Sequence, residues 1–281
     1  MLPAIITLTT DFGLRDPYVA EMKAAILGID PKLVIVDVSH QIEKYNVRMG
    51  AYVLASACGY FPTGTVHVAV VDPAVGTRRR PVLVQAERGY LIGPDNGLLA
   101  LAARRMGGFR RAWRITNCKL MLSVVSDTFH GRDIFAPAAA HLARGIPPEQ
   151  FGPEIHGIEE PEFAKVTLRG SMLVGEVVHV DDFGNIVTNI PEENLKAFKN
   201  KDKIHVTIGK RRVRLELLRA YAEAARGEPL ALVGGHGFLE ISLNQGNAAE
   251  RLGARGGDKI VLGKRADHAR VRADLQKPRG G

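Results

Sequence analysis

Apolar residues in the first half of the chain fall into short β-rich runs separated by stretches with helical spacing. Residues 5–10, 34–38, 66–71 and 82–85 predict strands, each rich in Val, Ile, Leu or Thr and bounded by turn formers. Between them, Asp16 as N-cap and Pro17 at the first helical position open a helix through Glu21, Met22, Ala25 and Ile26. A second helix is predicted over 47–60, with Met49, Val53, Leu54 and Ala57 on one face. A third covers 134–143, capped by Asp133 and ended by Gly145. This alternation predicts an α/β domain over residues 1–150 with a largely parallel sheet. Pro147, Pro148, Gly152, Pro153 and Pro161 predict a linker at 151–164. Beyond it, short strand candidates at 166–168, 172–180, 186–189, 204–208, 212–217, 230–233 and 238–243 predict a smaller all-β, barrel-like domain over 165–263.

Composition narrows the class. The 281 residues, 46% hydrophobic and 24% charged, suit a soluble globular protein with full cores in two domains. No apolar run approaches the roughly 18 residues of a membrane span, and the N-terminus lacks a basic region followed by an apolar core, so a cytoplasmic protein is expected. Cys58 and Cys118 have no Cys or His at ligand spacing and are expected to be buried, reduced thiols. The net charge of +8 invites a nucleic-acid partner, but half of it falls on 264–281, which reads as a basic, flexible, solvated tail. Without that tail the body is modestly basic and carries no recognition-helix, zinc-finger or basic-aromatic motif, so neither nucleic acid nor membrane is an expected partner.

The candidate chemistry lies where apolar runs stop. One run leads into Asp72, a Pro/Gly turn and Arg79; another reaches Asp11; a third leads into Phe129-His130-Gly131-Arg132-Asp133. Ligands of open α/β sheets bind outside the carboxyl ends of strands, so three polar strand ends predict one cleft. Within it Asp72, Arg79 and His130 would supply an acid, a permanent cation and a group that accepts or relays a proton. Arg78 and Arg80 read as solvated neighbours. Asp11 either shapes a turn with Gly13 or accepts hydrogen bonds from both hydroxyls of a ribose. Asp16 reads as a cap that could also face the cleft. The segment Asp181-Asp182-Phe183-Gly184-Asn185 suits a turn, yet Asn185 has the paired donor and acceptor that read a purine edge, with Phe183 stacked on it. The glycine-rich run 234–240, with Gly235, His236, Phe238 and Glu240, suggests close backbone approach to a ligand. Asp-Phe-Gly occurs twice and His130 to Asp133 echoes a kinase loop, but their order and the lack of a Gly-rich partner exclude kinase chemistry. No phosphate-binding loop, dinucleotide fingerprint or metal motif is present, so no cofactor and no metal are expected.

Taken in order, Thr9-Thr10-Asp11-Phe12-Gly13, Asp72-Pro73-Ala74-Val75-Gly76-Thr77, Pro94-Asp95-Asn96-Gly97, Phe129 to Asp133 and Asp182 to Asn185 resemble the S-adenosyl-L-methionine hydroxide adenosyltransferases, relatives of fluorinase and chlorinase. The resemblance spans about residues 4 to 263. It implies an α/β domain, a C-terminal β-barrel and a homotrimer whose substrate lies between one subunit's N-terminal domain and its neighbour's C-terminal domain. The implied reaction is attack of water or hydroxide on ribose C5′ of S-adenosyl-L-methionine (SAM), releasing adenosine and L-methionine. By resemblance Asp72, Arg79 and His130 are catalytic, Asp11 binds ribose, Asn185 reads adenine beside Phe183, and 235–240 holds the amino-acid end and the ring. Asp16 and Asp181 complete the expected binding set. As the resemblance has it, halide-using relatives carry an aromatic residue in place of the Asp, so Asp72 with Arg79 points to hydroxide. A non-catalytic SAM or adenosine sensor and a halide-using enzyme are the alternatives. Ala74 stands where the family usually has Gly, so a positive φ there would be strained, and Gly235 stands in place of a common Ser.

Overall fold

The computed structural model describes residues 4–198 and 202–263. The chain divides between Ala164 and Lys165 into two compact units.

In the first unit, seven strands form one sheet: β1 (Ile5–Thr10), β2 (Val34–Ser39), β3 (Thr65–Val70), β4 (Pro81–Ala86), β5 (Gly89–Pro94), β6 (Phe109–Arg114) and β7 (Glu154–Ile155), in the order β2-β1-β3-β5-β4-β6-β7. The β2-β1-β3-β5 half is parallel. Strands β4, β6 and β7 extend it antiparallel, so the sheet is mixed. Every residue of β3 is buried, which explains its unbroken apolar run: a central strand covered on both faces needs no alternation. Its side chains divide between two cores. Val66, Val68 and Val70 join Ile6 and Leu8 beneath α1 (Tyr18–Ile29) and α4 (Ala136–Ala143). Ala69, with Val71 just past the strand, joins Val82, Val84 and Leu91 beneath α2 (Val47–Cys58) and α3 (Ala100–Arg105). Helix, sheet and helix thus form three layers with the strand ends left open.

Several local expectations are corrected. Asp16 is exposed and α1 begins at Tyr18 with Pro17 as N-cap, because Pro17 offers its carbonyl to Glu21 N while no side chain caps the turn. Asp133 does not cap the third helix; it lies inside a π-helical turn, Gly131–Phe135, that leads into α4. The segment 151–164 is part of the first unit rather than a linker. Phe151 is fully buried, Ile155 and Glu154 pair with Ala112 and Trp113, and Phe163 and Ala164 are buried under the second core. The prolines shape this return path instead of freeing it. Arg80 is no solvated neighbour: its Nε donates to Asp95 Oδ2 at 2.7 Å and its Nη2 to Gly157 O, tying the same segment down. Cys58 is buried, with burial pushing its thiol up to about 11, whereas Cys118 is exposed.

The second unit is antiparallel throughout its named ladders. It comprises β8 (Thr167–Arg169), β9 (Met172–Val180), β10 (Ile186–Pro191), β11 (Lys203–Ile208), β12 (Arg211–Glu216), β13 (Pro229–Val233), β14 (Phe238–Leu243), α5 (Ala248–Leu252) and β15 (Lys259–Gly263). The order β12-β11-β15-β9-β10-β14-β13 brings its two ends together at a Leu217–Ala231 bridge, giving a nearly closed barrel-like sheet. Ile186, Ile190, Ile204, Val206, Ile241 and Ile260 point into one core, the inward half of each strand's alternation. The basic tail, 264–281, lies outside the described residues. Among the described residues, no helix is long and apolar enough to cross a membrane.

This packing can be tested at two positions. Phe151→Ala should cost about 3–5 kcal/mol in chemical denaturation, as for a core aromatic; a loss near zero would restore the linker reading. His67, 1% exposed and held at 2.8 Å from Thr7 Oγ1, has its pKa pushed down to about 4 by burial. The unfolded chain therefore binds that proton more readily, and this contribution is complete above about pH 6.5 and lost as pH falls toward 4. His67→Gln should flatten the stability profile in that window, read by thermal melts at stepped pH.

Candidate active site

Asp11 follows β1 and Asp72 follows β3, at the carboxyl ends of adjacent parallel strands. His130 arrives differently. No strand precedes it; residues 121–129 are irregular chain with bends, and His130 itself leads the π-helical turn. Two strand ends and one helix start therefore build a cleft of about 470 Å³, lined by Asp11, Phe12, Tyr18, Lys44, Tyr45, Asp72, Phe129 and His130 among others. That volume suits a small organic molecule.

The turn after β3 folds Arg79 back onto Asp72. Thr77 N and Oγ1 donate to Ala74 O, and Arg79 N donates to Thr77 Oγ1. Gly76 carries the reversal at φ +77°, and a Cβ there would lie 2.5 Å from Asp127 O. Ala74 is not at positive φ, so the strain expected there is absent: Gly76 takes the left-handed position two residues later. Arg79 Nε and Nη2 both donate to Asp72 Oδ2, at 2.9 and 2.5 Å, and Nη2 also lies 2.6 Å from His130 Nδ1. The Arg79 and Asp72 side chains are only 7% and 5% exposed, and the guanidinium lies 5.3 Å from the Phe135 ring centroid.

Two consequences are chemical. A guanidinium only donates, so His130 Nδ1 must accept and the neutral ring carries its proton on Nε2. Burial, reinforced by the Arg79 charge, holds the His130 pKa below the ordinary histidine value, against the opposing pull of Asp72, Asp133 and Asp127. In addition, Asp72 Oδ1 and Arg79 Nη1 are buried and meet no partner; Asp72 lines the cleft, whereas Arg79 stands behind it and is not among the lining residues.

Asp11, 6% exposed, accepts Tyr45 N on Oδ2 at 2.8 Å, while its carbonyl accepts Lys44 Nζ. Tyr45 adopts φ +64°, rare for a bulky residue and an indication of a constrained site. Phe12, Tyr18 and Phe129 meet edge to face at 5.3–5.8 Å and wall one side. Asp133 is fully buried and holds the cleft loop, accepting Ser126 N and Oγ at 2.9 and 2.8 Å and Arg132 Nε at 2.7 Å. Burial would raise its pKa, but these donors outweigh that and lower it. Asp16 is absent from the cleft lining.

The remaining expected residues lie in the second unit. Asp181 Oδ1 accepts Phe183 N and Asn185 N, and its Oδ2 accepts Asn185 Nδ2 at 2.9 Å. Asp181 therefore orients the Asn185 amide. Gly184, at φ +82°, has no room for a Cβ, which would fall 2.1 Å from Asn247 Oδ1. Phe183 is 80% exposed. Gly234 to Gly237 form the tight β13–β14 turn, with Gly237 N donating to Gly234 O at 2.8 Å, and Gly235 and His236 are exposed at its tip. Gly235 has open space about it, so its lack of a side chain answers no steric demand. The β10–β14 register pairs Ile186 with Ile241 and Pro191 with Phe238. Asn185 and the Gly235 tip thus sit at opposite ends of this ladder, roughly 15–20 Å apart. Phe238 is buried in β14, and Glu240 Oε1 is taken by Tyr221 Oη and Ser242 Oγ, so Glu240 braces the hairpin rather than reaching outward. Among the described residues, no group of three or more His, Cys, Asp or Glu side chains is arranged to hold a metal ion.

Lys44, Tyr45 and Ser126 also line the cleft, and no motif or spacing in the sequence marks them. They sit in irregular connections without periodicity, and only the positive φ of Tyr45 and the buried Asp133 partner of Ser126 reveal them.

The fold and this site define a class with known members. Residues 6–152 match the SAM hydroxide adenosyltransferase N-terminal domain, and 175–261 match the C-terminal domain of the same family. The chain belongs to the SAM hydroxide adenosyltransferase family. It is 39% identical to the (R)-S-adenosyl-L-methionine hydrolase of Thermus thermophilus, over 90% of this chain and 97% of that protein. It is 36% identical to the hydrolase of the same name from Methanocaldococcus jannaschii, over 92% and 95%. A fluorinase from Actinopolyspora mzabensis is 30% identical, over 87% and 92%. The crystal structure of a conserved protein from Thermotoga maritima superposes with a TM-score of 0.83 at 38% identity, covering 92% of this chain and 99% of that one.

The His130 environment yields a direct check. Arg79→Ala should move the His130 titration up toward the ordinary histidine value, and Asp72→Asn should move it further down, both read from ring proton shifts against pH. Shifts in the opposite sense would contradict the assigned contacts.

Proposed function

We propose that the protein hydrolyses SAM, in the (R) form named for its relatives, to adenosine and L-methionine. The observation that carries this reading is that Asp72 and His130 line one cleft with Asp11 and are joined through the buried Arg79 side chain, with an acceptor and a donor left unmatched. The family membership and the hydrolase relatives support it. Asp11 holds the ribose hydroxyls, Asn185 reads adenine beside Phe183, and the Gly235–His236 tip takes the amino-acid end. Their separation along the β10–β14 ladder suits an elongated molecule with a purine at one end and an amino acid at the other. Asp11, Asp72, Arg79 and His130 belong to the first unit and Asn185 with the Gly235–His236 tip to the second, and in this reading they come from neighbouring subunits of a homotrimer.

The chemistry needs no acid on the leaving group. A water oxygen bonds to C5′ as the C5′–S bond breaks, and the electron pair returns to sulfur, leaving a neutral thioether. Catalysis then rests on alignment and on removing one proton from water. His130, protonated on Nε2 in its neutral form, donates to the water rather than deprotonating it. Asp72, which lines the cleft and keeps Oδ1 unmatched, takes the proton, while the Arg79 charge behind it stabilises the developing hydroxide. The same carboxylate repels a halide ion, which disfavours halogenation. No cofactor enters this scheme.

Incubation of the protein with SAM, resolved by chromatography, should give adenosine and methionine in equal amounts. Asp72→Asn should lower kcat by about 10²–10⁴-fold, the usual loss for a general base. Absence of adenosine above the blank, with SAM still bound, would replace hydrolysis by the sensor reading. Formation of 5′-chloro- or 5′-fluoroadenosine in halide buffer would replace it by halogenation.

A further inference from the structure

His40 is 4% exposed, is not part of the cleft lining, and plays no part in the chemistry above. It lies just beyond β2, where the register with β1 slips: Leu8 pairs with Asp37 but Thr9 pairs with Ser39, leaving Val38 as an extra residue. Bulges of this kind re-aim the residues that follow. Here the chain is turned so that His40 Nδ1 lies 2.8 Å from Thr10 Oγ1, and that hydroxyl also accepts Phe12 N at 3.2 Å. The backbone of His40 makes a second contact, its carbonyl accepting Gly13 N at 2.7 Å. One residue thus grips the turn on both sides of Asp11, at Thr10 and at Gly13. Its far edge is anchored in turn: Nε2 stands 3.1 Å from Asp37 Oδ1, off the axis of a hydrogen bond, and Asp37 Oδ2 pairs with Lys23 of α1 at 2.6 Å.

We propose that His40 is a positioning residue for the nucleoside, fixing the 10–13 turn and hence the direction in which the Asp11 carboxylate points. The proposal rests on Asp11 as the ribose-binding carboxylate. A histidine that merely fills space would be replaceable by an apolar residue of similar size. A positioning histidine requires a polar atom where Nδ1 stands, and asparagine supplies one.

The full chain with substitutions at positions 40, 10 and 11 separates these cases, with adenosine affinity measured by calorimetry and SAM turnover by steady-state kinetics. His40→Leu should weaken adenosine and raise KM about tenfold, the loss for one or two hydrogen bonds, with kcat changed less than about twofold. His40→Asn should stay within about threefold of the parent in both. If His40→Leu does not fold, Thr10→Val, which removes the hydroxyl that His40 holds, should reproduce the KM increase. Parent-like affinity in His40→Leu, or equal losses in the Leu and Asn variants, would overturn the proposal. Asp11→Ala tells its failure from that of the ribose assignment: unchanged adenosine affinity there contradicts the assignment itself, whereas a loss in Asp11→Ala alone contradicts only the role of His40.

Discussion

Arg79 is a permanent cation held almost out of water, and the site is organised around keeping it there. A buried charge is tolerated only with a close counter-charge and well-placed acceptors. Asp72 supplies the counter-charge through one carboxylate oxygen, His130 supplies a neutral acceptor, and the Phe135 ring lies against the guanidinium. Each partner is constrained in return. Asp72 is left with one buried, unmatched oxygen, and His130 is fixed in its neutral Nε2-protonated tautomer. The turn from 72 to 79 must reverse through Gly76, because a side chain there would meet the backbone at Asp127.

The scaffold supports this arrangement from below and beside it. Strands β1 and β3 are buried on both faces, so the residues just past their ends start from fixed points. The loop carrying His130 has no strand beneath it and is held instead by Asp133, whose carboxylate gathers Ser126 and Arg132. Asp11 is gripped from the β2–α2 connection by Lys44 and Tyr45, and its turn by His40. Asp11, Asp72, Arg79 and His130 stand outside the strands, and the segments that carry them are held by hydrogen bonds that are mostly part-buried. That is the rigidity an in-line displacement demands.

Much of this was legible in the residues. The strands over 5–10, 172–180 and 238–243 coincide with β1, β9 and β14, because β-branched runs with clear turn boundaries leave little ambiguity. The Asp72–Arg79 turn was legible as an acid and a cation separated by Pro and Gly, and the structure closes that loop. Strands β5, β6 and β15 and helix α3 were not legible. Gly89, Gly93 and Pro94 in β5 and the arginines in β6 mask strand character, and α3 is too short to show periodicity. The segment 151–164 reads as a linker by its prolines, whereas its few apolar residues, Phe151 and Phe163, decide its place by burial. Tertiary contact likewise decides the roles of Lys44, Tyr45 and His40, whose partners lie some thirty residues away in sequence. The tautomer of His130 follows from geometry alone, and no spacing in the chain announces it.

In the proposed reaction, water held by Asp72, Arg79 and His130 attacks C5′ of SAM. Turnover in water enriched in oxygen-18, followed by mass spectrometry of the products, tests it most directly. Attack by water at C5′ places one heavy oxygen in adenosine, on the 5′ hydroxyl, and none in the methionine. Unlabelled adenosine, or label appearing in the methionine, would contradict it.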